Sequence, residues 1–528
     1  MQSGYTVVRL VEAILAVDIG TTQTKAALVS TKNHQILSTA VEGNRLEFPR
    51  PRYVEQDPRA IWQSITKASR AVLKQPETAS AKVVGLTFCA QMTGIVPLDK
   101  AGKPLSRFLT WLDTRAAPLV PKMFSGLIHM KGYGLRRLLK FLSITGGAPS
   151  FTGKDVISKH FWLKQEQPGV YRRAAKIVDT KDYVILKTTG NYVTSTDLAA
   201  ITWLMDTRPG RDSWSKDIFA LLHLDIDKMP SIQPTTAVVG NLLPAAAKEL
   251  GLPQGIPVIN GTGDIMAAAI GSGAIHDGDL HASVGTAGWV ACHCAERCKD
   301  LGLYTGTVRS ANSERYLILC KQETSGGALE WVKNMLYPQA TEPVWKEIDG
   351  QVAQTPPGAA GLFFMPWLAG ERAPIDDHSI RGMFFNLGLQ HTRAHLLRAT
   401  FEGIALNLRW ALDAVEKVRA KKIKGTAKTL RLVGGGARSD IWSQILADTL
   451  NKVVDRVHRP QDVGAHGAAL TAMVGLHILP SFESITPLIR VDRVFRPKAD
   501  EVRLYASQFE RFKAIYLSNK SLHARLNA

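Results

Sequence analysis

Two stretches of this chain share one pattern of apolar and polar positions. In residues 16–29 and again in residues 279–292, an apolar run typical of a strand meets a Gly-Thr turn and continues into a second apolar run. This pattern predicts a strand-turn-strand hairpin, and the N–H groups and hydroxyls of such a turn suit a phosphate chain. Because each hairpin opens one half of the chain, the repeat indicates two similar domains that hold one nucleotide. Taken singly, each stretch is an ordinary hairpin with a glycine turn.

The first half of the chain predicts a sheet and a helix. Apolar runs predict strands at residues 14–18, 25–30, 35–42 and 83–88. Asp57 followed by Pro58 begins a helix, since Asp caps helices and Pro is favoured at their first position. In this order of elements, three polar residues would come to one edge of the sheet: Asp18, Gln91 and Asp113.

The remaining elements predict the division into domains. A basic helical insertion spans residues 122–147, and a strand at residues 257–260 stops at the turn before Asp264. The second hairpin opens a second domain, which closes with a strand at residues 429–433, a glycine turn and a helix from Asp440. A charged helical tail follows. The predicted domains are residues 1–275, residues 276–480 and the tail, residues 481–528.

The composition indicates a globular protein with full cores. Of the 528 residues, 45% are hydrophobic and 21% are charged, which is the balance of folded water-soluble domains. Nowhere do about 18 uncharged apolar residues follow one another, so the sequence predicts no membrane span. The five cysteines, an odd number, favour a reducing compartment without a disulfide framework. The sequence therefore predicts a cytoplasmic protein without a signal peptide.

The net charge of +19 raises the question of an anionic partner. Basic residues are scattered, apart from local runs at residues 131–140 and 419–424, and no aromatic residues are interleaved with them. Nucleic-acid surfaces combine the two, so the preferred interpretation is a solvated basic surface. Binding of nucleic acid or anionic lipid stays an alternative that rests on charge alone, and a partner for the run at residues 131–140 stays open. A basic surface would also attract ATP.

One short segment is rich in potential metal ligands. Residues 292–298 read Cys-His-Cys-Ala-Glu-Arg-Cys. They lack the Cys-x-x-Cys pairs of zinc sites, and they directly continue a predicted strand. Alternation along that strand puts Cys292 and Cys294 on one face. An ordinary strand is therefore preferred to a zinc site.

Several short motifs follow one another along nearly the whole chain: Asp18-x-Gly-Thr-Thr-x-Thr-Lys, Gln91-Met-Thr-Gly, Trp111-x-Asp-x-Arg, Lys181-Asp-Tyr, Gly263-Asp264, Gly285-Thr-x-Gly, Gly370-Glu-Arg-x-Pro and Gly434-Gly-Gly-Ala-x-Ser. In these motifs the chain resembles the FGGY carbohydrate kinases, and among their subfamilies the xylulokinases. The resemblance implies an α/β fold of two actin-like, ribonuclease H-like ATPase domains with the active site in the cleft between them. It also implies an ATP-dependent kinase for a small sugar, above all a pentulose such as xylulose.

The resemblance also implies roles for particular residues. Asp264 would be the general base, because a carboxylate within reach of a sugar hydroxyl can take its proton as the bond to phosphorus forms. Asp18 would hold Mg²⁺ through water, since Mg²⁺ prefers oxygen ligands. The alternatives are that Asp264 only caps a helix and that Asp18 only caps its turn. The residues implied for ATP are Thr21, Thr22, Lys25, Gly285, Thr286, Gly326, Gly327, Gly435, Gly436, Ala437 and Asp440. Those implied for the sugar are Gln91, Met92, Trp111, Asp113 and Asp264, with Arg115 and Glu371 as weaker candidates.

Two residues depart from the xylulokinase pattern. Thr93 stands where a His usually follows Gln-Met, and Leu112 stands where an Asn usually precedes Asp113. Both positions would contact sugar hydroxyls, and a lost hydrogen-bond partner changes which polyol is satisfied. The alternatives are therefore kinases for ribulose, erythrulose, erythritol or glycerol, and beyond the kinases an actin-like ATPase or a sugar sensor. The sugar, its stereoisomer and a homodimeric state stay open.

Overall fold

The computed structural model of the chain describes residues 10–300, 305–339 and 344–527. Over these residues the chain forms two compact units. Unit 1 comprises Met1–Gly271, Val308–Arg315 and Gly464–Leu488, and unit 2 comprises Ser272–Thr307, Tyr316–Val463 and Ile489–Ala528. Each unit therefore contains segments that are distant in sequence. The predicted division into residues 1–275, 276–480 and 481–528 gives each domain one continuous stretch of chain, and it stays a prediction.

The first half of the chain forms short strands and helices. Its strands are β1 (Val11–Ile19), β2 (Gln23–Ser30), β3 (Ile36–Gly43), β4 (Glu55–Gln56), β5 (Ala81–Ala90), β6 (Val96–Leu98), β7 (Phe108–Leu109), β8 (His129–Met130), β9 (Tyr133–Gly134), β10 (Lys176–Val178), β11 (Val193–Ser195), β12 (Met205–Asp206), β13 (Ser213–Trp214), β14 (Ser231–Gln233), β15 (Val238–Asn241) and β16 (Pro257–Gly263). Its helices are α1 (Pro58–Leu73), α2 (Val120–Met123), α3 (Leu135–Ile144), α4 (Val156–Glu166), α5 (Pro168–Arg173), α6 (Thr180–Thr189), α7 (Thr196–Ala200), α8 (Lys216–Leu222), α9 (Pro244–Leu250) and α10 (Asp264–Ser272).

The second half contains longer helices. Its strands are β17 (Leu280–Val284), β18 (Gly288–Cys294), β19 (Lys299–Asp300), β20 (Thr305–Arg309), β21 (Tyr316–Gln322), β22 (Phe363–Met365), β23 (Met383–Phe385), β24 (Thr429–Val433), β25 (Val453–Val457) and β26 (Val491–Phe495). Its helices are α11 (Gly326–Leu336), α12 (Trp345–Gln354), α13 (Arg393–Arg419), α14 (Asp440–Leu450), α15 (Val463–Gly475) and α16 (Ala499–Leu526). None of the helices in the described ranges combines the length and the apolarity that crossing a bilayer requires.

Unit 1 is built on a six-stranded sheet in the order β15-β16-β5-β1-β2-β3. Strands β1 and β2 form the predicted antiparallel hairpin, whereas β1, β5 and β16 run parallel to one another. Helix α1 begins as predicted, because the Asp57 side chain accepts from the Arg59 N–H and Pro58 is the first helical residue. Its buried residues Ile61 and Ile65 join the core that the sheet provides. Three parallel strands in the middle of the sheet therefore end at the same edge.

The basic insertion is only partly helical, so the prediction for residues 122–147 was wrong in its middle. Residues 129–134 form the β8–β9 hairpin, and the helix α3 begins only after it. Gly132 adopts a φ of +84° in the turn, a conformation that glycine tolerates and helices exclude. The turn therefore interrupts the helix that the sequence predicted through residues 122–147.

Unit 2 is built on an eight-stranded sheet in the order β19-β20-β21-β18-β17-β24-β25-β26. Strands β17 and β18 form the second predicted hairpin, and β17 runs parallel to β24. The long helix α13 packs against the sheet and against α14. Its buried residues Phe401, Ile404 and Leu408 belong to the same core as strands β17 and β18.

A buried polar cluster ties the C-terminal helix α16 to α13. The Tyr505 hydroxyl donates to Glu402 Oε1 at 2.8 Å and accepts from Arg398 Nη2 at 2.8 Å. Arg398 also pairs with Glu402 at 2.6 Å, and all three side chains are buried. Because each charge in this cluster has partners, the cost of burying it is offset.

We expect the substitution Tyr505→Phe to destabilise the chain by about 1–3 kcal/mol, since it removes one partner from each of two buried charged groups. The change is measured by urea denaturation. Tyr337→Phe is the matched control, because the Tyr337 hydroxyl contacts the exposed Glu347 side chain. Equal midpoints for the two variants would contradict the prediction.

Candidate active site

Three of the polar residues that the sequence singled out, Asp18, Gln91 and Asp264, lie at the carboxyl edge of the unit 1 sheet. The strand register aligns Asp18 with Cys89 and Cys89 with Thr262 across β1, β5 and β16. Gln91 follows β5, and Asp264 follows β16. Burial raises the pKa of the Cys89 thiol, and the negative charges of Asp18 and Asp264 raise it further. Both carboxylates therefore lie close to the same buried thiol.

The turn between β1 and β2 is held in place by its neighbours. The Gly20 N–H donates to the Gln23 carbonyl at 2.9 Å. Thr21 accepts from Gln56 Nε2 at its carbonyl and from Trp111 Nε1 at its hydroxyl, both at 2.8 Å. Thr22 is exposed, while Lys25 is buried and lies directly opposite Asp18 in the ladder. Opposite residues in a ladder share a face of the sheet, so Lys25 and Asp18 are neighbours.

Gln91 carries an acceptor that the described protein leaves unused. Its Nε2 donates to Gln56 Oε1 at 2.6 Å, and its backbone N–H donates to the Ile19 carbonyl at 2.8 Å. Its Oε1 is buried and has no hydrogen-bond partner among the described residues. Buried polar atoms are almost always paired, so this oxygen suits the hydroxyl of a ligand. Gln56 was not predicted as a site residue; it stands in the sequence Glu55-Gln-Asp-Pro, which leads into α1.

Asp264 is the first residue of α10, and the end of β16 fixes its position. Its Oδ1 accepts from the Ile265 N–H at 2.8 Å, so it caps the helix. One residue earlier, a Cβ on Gly263 would lie 2.3 Å from the Met92 sulfur, so Met92 packs directly against this strand end. Asp197, which sequence reasoning missed, accepts from the Thr262 hydroxyl at 2.5 Å and from the Gly263 N–H at 2.8 Å. Asp197 therefore anchors the backbone that carries Asp264.

A glycine of α15 makes room for Asp18. A Cβ on Gly464 would lie 2.3 Å from Asp18 Oδ2. Any larger residue would displace the carboxylate, so the start of α15 completes this end of the sheet. Sequence reasoning missed Gly464, because its distance from Asp18 along the chain gives no signal.

Asp113 is fully buried, and its described contacts are to the protein. Its Oδ2 accepts from the Val54 N–H at 2.8 Å, and both oxygens accept from Arg115 Nε at 2.9 Å. Arg115 also pairs with Glu55 at 2.6 Å and lies over the Tyr53 ring, 3.7 Å from its centroid. These contacts hold the segment that carries Trp111.

In unit 2 the predicted glycine turns converge on one backbone segment. The Gly326 N–H donates to the Gly285 carbonyl at 2.7 Å, and the Gly327 N–H donates to the Thr286 carbonyl at 3.1 Å. From the other side, Gly434 has a φ of +94°, and a Cβ there would lie 3.0 Å from the Gly285 nitrogen. Two segments that are far apart in sequence, the start of α11 and the turn at Gly434, therefore meet at the β17–β18 turn.

The residues that follow Gly434 differ in their surroundings. A Cβ on Gly435 would meet no atom within 4 Å, whereas one on Gly436 would lie 2.4 Å from the Trp442 ring. Ala437 is buried. Asp440 begins α14, where it pairs with Arg456 at 2.6 Å and also contacts Arg493.

Glu371, a weaker candidate for the sugar, makes its hydrogen bonds within unit 2. Glu371 is buried, and it accepts from the backbone N–H groups of Glu323 and Arg372 at 2.9 Å and from Asn407 at 2.7 Å.

Cys292 and Cys294, the potential metal ligands, lie on the buried strand β18, and burial raises the pKa of both thiols. Over the described ranges, no three His, Cys, Asp or Glu side chains form a group that could hold a metal ion. Mg²⁺ takes one or two carboxylates and completes its shell with water and phosphate, so Asp18 fits that ion.

The chain is similar to known sugar kinases along nearly its whole length. The model of the FGGY family of carbohydrate kinases, N-terminal domain, matches residues 13–271, and the model of the C-terminal domain matches residues 280–476. A xylulose kinase of Staphylococcus epidermidis is 30% identical over 516 residues, which cover 98% of each chain. A gluconokinase of Bacillus licheniformis is 26% identical, with 93% of each chain covered. The solved xylulose kinase of Rhodospirillum rubrum is 26% identical with a TM-score of 0.79, and the alignment covers 97% of this chain and 100% of that one.

The buried Glu371 predicts a pH effect on stability. Burial raises its pKa from 4.5 to about 7, so the folded chain holds a proton that the unfolded chain releases above pH 4.5. The stability that this proton contributes is complete below about pH 4.5 and is lost as pH rises to about 7, on the order of 3 kcal/mol in all. Thermal unfolding from pH 5 to pH 8 should therefore show wild type losing stability relative to Glu371→Gln. Parallel curves for the two proteins would contradict this.

Proposed function

Because the chain belongs to the FGGY family of carbohydrate kinases, it is an ATP-dependent sugar kinase, and we propose that its sugar is a pentulose such as xylulose. The observation that carries the proposal is the meeting of Asp18, Gln91 and Asp264 at one edge of the unit 1 sheet, with the buried Gln91 Oε1 unpaired among the described residues. A sugar hydroxyl is the donor that this oxygen lacks. The name shared by several relatives supports xylulose.

We assign Asp264 as the general base. In phosphoryl transfer the sugar hydroxyl oxygen bonds to the γ-phosphorus of ATP, the bond to the ADP oxygen breaks, and the hydroxyl proton passes to a carboxylate. Asp264 suits this role because the start of α10 stabilises its negative charge. Its capping bond to Ile265 uses Oδ1, so capping and catalysis are compatible. Asp197 acts as a positioning residue, since it holds the two residues before Asp264.

We assign the phosphates to the turn of Thr21 and Thr22, to Lys25, and to the second turn of Gly285 and Thr286. Backbone N–H groups and hydroxyls in tight turns bind phosphate oxygens, and a lysine neutralises their charge. Asp18 would hold Mg²⁺, which neutralises the charge that develops on the transferring phosphoryl group. We assign the ribose and adenine to the turns that meet at Gly285, with Gly326, Gly327, Gly435, Gly436, Ala437 and Asp440.

We assign the sugar to Gln91, Met92 and Trp111. The hydrogen bonds from Gln91 to Gln56 and from Gln56 to Thr21 connect the proposed sugar residues with the proposed phosphate turn. Trp111 bonds to the same threonine. This network would keep the acceptor hydroxyl and the phosphate in a fixed relation, which is the main contribution that a kinase makes to rate. Asp113 stays a predicted sugar ligand. The contacts that the structure shows for it hold Arg115 and the backbone of Val54 in place.

A sugar acid or another polyol is the second candidate for the substrate. Thr93 and Leu112 replace residues usual in xylulokinases, and both are expected near sugar hydroxyls. Gluconokinases are also among the similar proteins. A change of one hydrogen-bonding residue can shift preference strongly, because it leaves a buried polar group unpaired.

The proposal is tested by ADP release from Mg-ATP with xylulose, ribulose, erythrulose, erythritol, glycerol and gluconate. We expect xylulose to give the highest kcat/KM. If another compound does so, the pentulose assignment is replaced by that compound. If none raises turnover above the rate in water, the sugar kinase assignment itself fails for this panel.

We expect Asp264→Asn to lower kcat at least ~100-fold while ADP still binds, because general base catalysis is lost and the binding residues remain. Binding is measured by calorimetry with ADP. Asp217→Asn is the matched control, since Asp217 also lies in the first turn of a helix, α8, and is exposed. Turnover of Asp264→Asn close to that of the control would remove Asp264 from the base role.

We expect Gly434→Ala to raise the KM for ATP on the order of tenfold with little change in the KM for the sugar. The added Cβ meets the backbone of Val284 and Gly285 at 2.9–3.0 Å, and positive φ adds strain. Gly425→Ala is the control, because Gly425 has a φ of +78° but no atom within 4 Å of its Cβ position. Equal effects of the two substitutions on the KM for ATP would contradict the assignment of this turn.

A further inference from the structure

We propose that Lys159 and Asp179 form a buried clamp on the backbone of Thr93 and thereby set which sugar this kinase accepts. The proposal rests on the proposed function, since it takes Gln91 and Met92 as sugar residues. It adds two positioning residues that the sequence motifs do not indicate.

Thr93 has a backbone conformation that threonine seldom adopts. Its φ is +65°, in the left-handed region that β-branched side chains disfavour, and such a conformation costs on the order of 1–3 kcal/mol. The residue directly follows Gln91 and Met92 and is one of the two that depart from the xylulokinase pattern. A conformation of this kind persists only when surrounding groups enforce it.

Lys159 holds the carbonyl side of Thr93. It lies in α4 and is fully buried, and its Nζ donates to the Thr93 carbonyl at 2.7 Å and to the Lys154 carbonyl at 2.6 Å. A lysine is seldom buried without an ionic partner, because the charge loses its hydration. The hydrogen bonds to the Thr93 and Lys154 carbonyls offset part of the cost of burying Lys159.

Asp179 lies on the other side of the same peptide segment. Its Oδ1 caps α6 by accepting from the Thr180 N–H at 2.6 Å. The Thr93 N–H also interacts with the Asp179 carboxylate and lowers its pKa. A Cβ on Gly94 would lie 3.1 Å from Asp179 Oδ1, so the carboxylate is in close contact with this turn. The N–H and the carbonyl of Thr93 thus interact with groups of opposite charge.

Lys159 and Asp179 also interact with each other. Burial lowers the pKa of Lys159 to about 7, and the negative charges of Asp113, Asp155 and Asp179 oppose that shift. Burial raises the pKa of Asp179 to about 7, and the positive charge of Lys159 opposes that shift. Each charged form therefore stabilises the other across Thr93, which makes the clamp a single unit.

The clamp acts on the sugar residues through the chain. Met92 packs against Gly263, next to Asp264, and Gln91 points its nitrogen at Gln56. If Thr93 relaxed to a negative φ, the direction of the chain after Met92 would change, and Met92 and Gln91 would move. A misplacement of about 1 Å in a binding residue can cost on the order of 100-fold in rate.

The test measures kcat and KM for the best sugar of the panel, for a second sugar and for ATP, with the full chain carrying Lys159→Met. We expect the KM for the best sugar to rise on the order of 10-fold to 100-fold and the preference between the two sugars to shrink. The KM for ATP should change by less than about twofold. Lys176→Met is the matched control, because Lys176 Nζ also donates to two carbonyls, of Asp227 and Met229 at 2.7 and 2.8 Å.

Rescue by Thr93→Gly distinguishes the clamp from a general loss of stability. Glycine adopts positive φ without strain, so the turn should no longer need Lys159, and Lys159→Met should cost much less sugar affinity when Gly stands at position 93. If the effects of the two substitutions on sugar KM simply add, or if Lys159→Met leaves sugar KM and preference unchanged, the clamp is wrong.

Two further outcomes keep the proposals separate. If Lys159→Met does not fold, Asp179→Asn repeats the test from the other side, since Asn still caps a helix but removes the negative charge. Unchanged sugar kinetics in Asp179→Asn then overturn the clamp. If wild type itself phosphorylates none of the sugars, the proposed function fails, and this result is read from the same plate before any variant is compared.

Discussion

The parallel alignment of β1, β5 and β16 is the constraint on which the rest of unit 1 depends. Parallel strands return the chain to the same edge, so residues that follow each strand meet there even though they are far apart in sequence. The register that aligns Asp18, Cys89 and Thr262 also decides which face each side chain takes. A shift of the strand pairing by one residue would turn the side chain of Asp18, or those of the residues before Asp264, to the opposite face of the sheet. The proposed chemistry therefore rests on backbone hydrogen bonds that carry no chemistry of their own.

Unit 2 reaches its proposed role by another physical route. Its turns approach one another through backbone atoms, because Gly434 and Gly436 leave no side chain between themselves and the β17–β18 hairpin. Backbone with little side-chain bulk lets phosphates and a flat base approach closely. Unit 1 instead presents charged and amide side chains from the ends of strands. The similar hairpins thus open units that offer different chemistry.

Buried polar groups and strained backbone occur together at the carboxyl edge of unit 1. Gln91 Oε1 and Asp197 Oδ1 are buried without partners among the described residues, and Thr93 has a positive φ beside the buried charge of Lys159. Each of these features costs stability, and folded proteins keep such features mainly where function requires them. In the cluster around Tyr505, by contrast, the buried charges of Arg398 and Glu402 pair with each other and with the tyrosine hydroxyl.

The sequence by itself determined both hairpins, the start of α1 at Asp57 and Pro58, and the motifs that indicated a sugar kinase, because these depend on local spacing, turn residues and capping. It also brought Asp18 and Asp264 forward as candidates. Only the tertiary structure decided that Gln56 contacts Thr21 and Gln91, that Asp197 anchors the backbone before Asp264, that Gly464 leaves room for Asp18, and that Lys159 reaches Thr93. These contacts join residues from separate elements, and no local pattern records which elements will meet. The fold also decided the middle of the basic insertion, since Gly132 with its positive φ lies in the turn of the β8–β9 hairpin where the sequence predicted a helix.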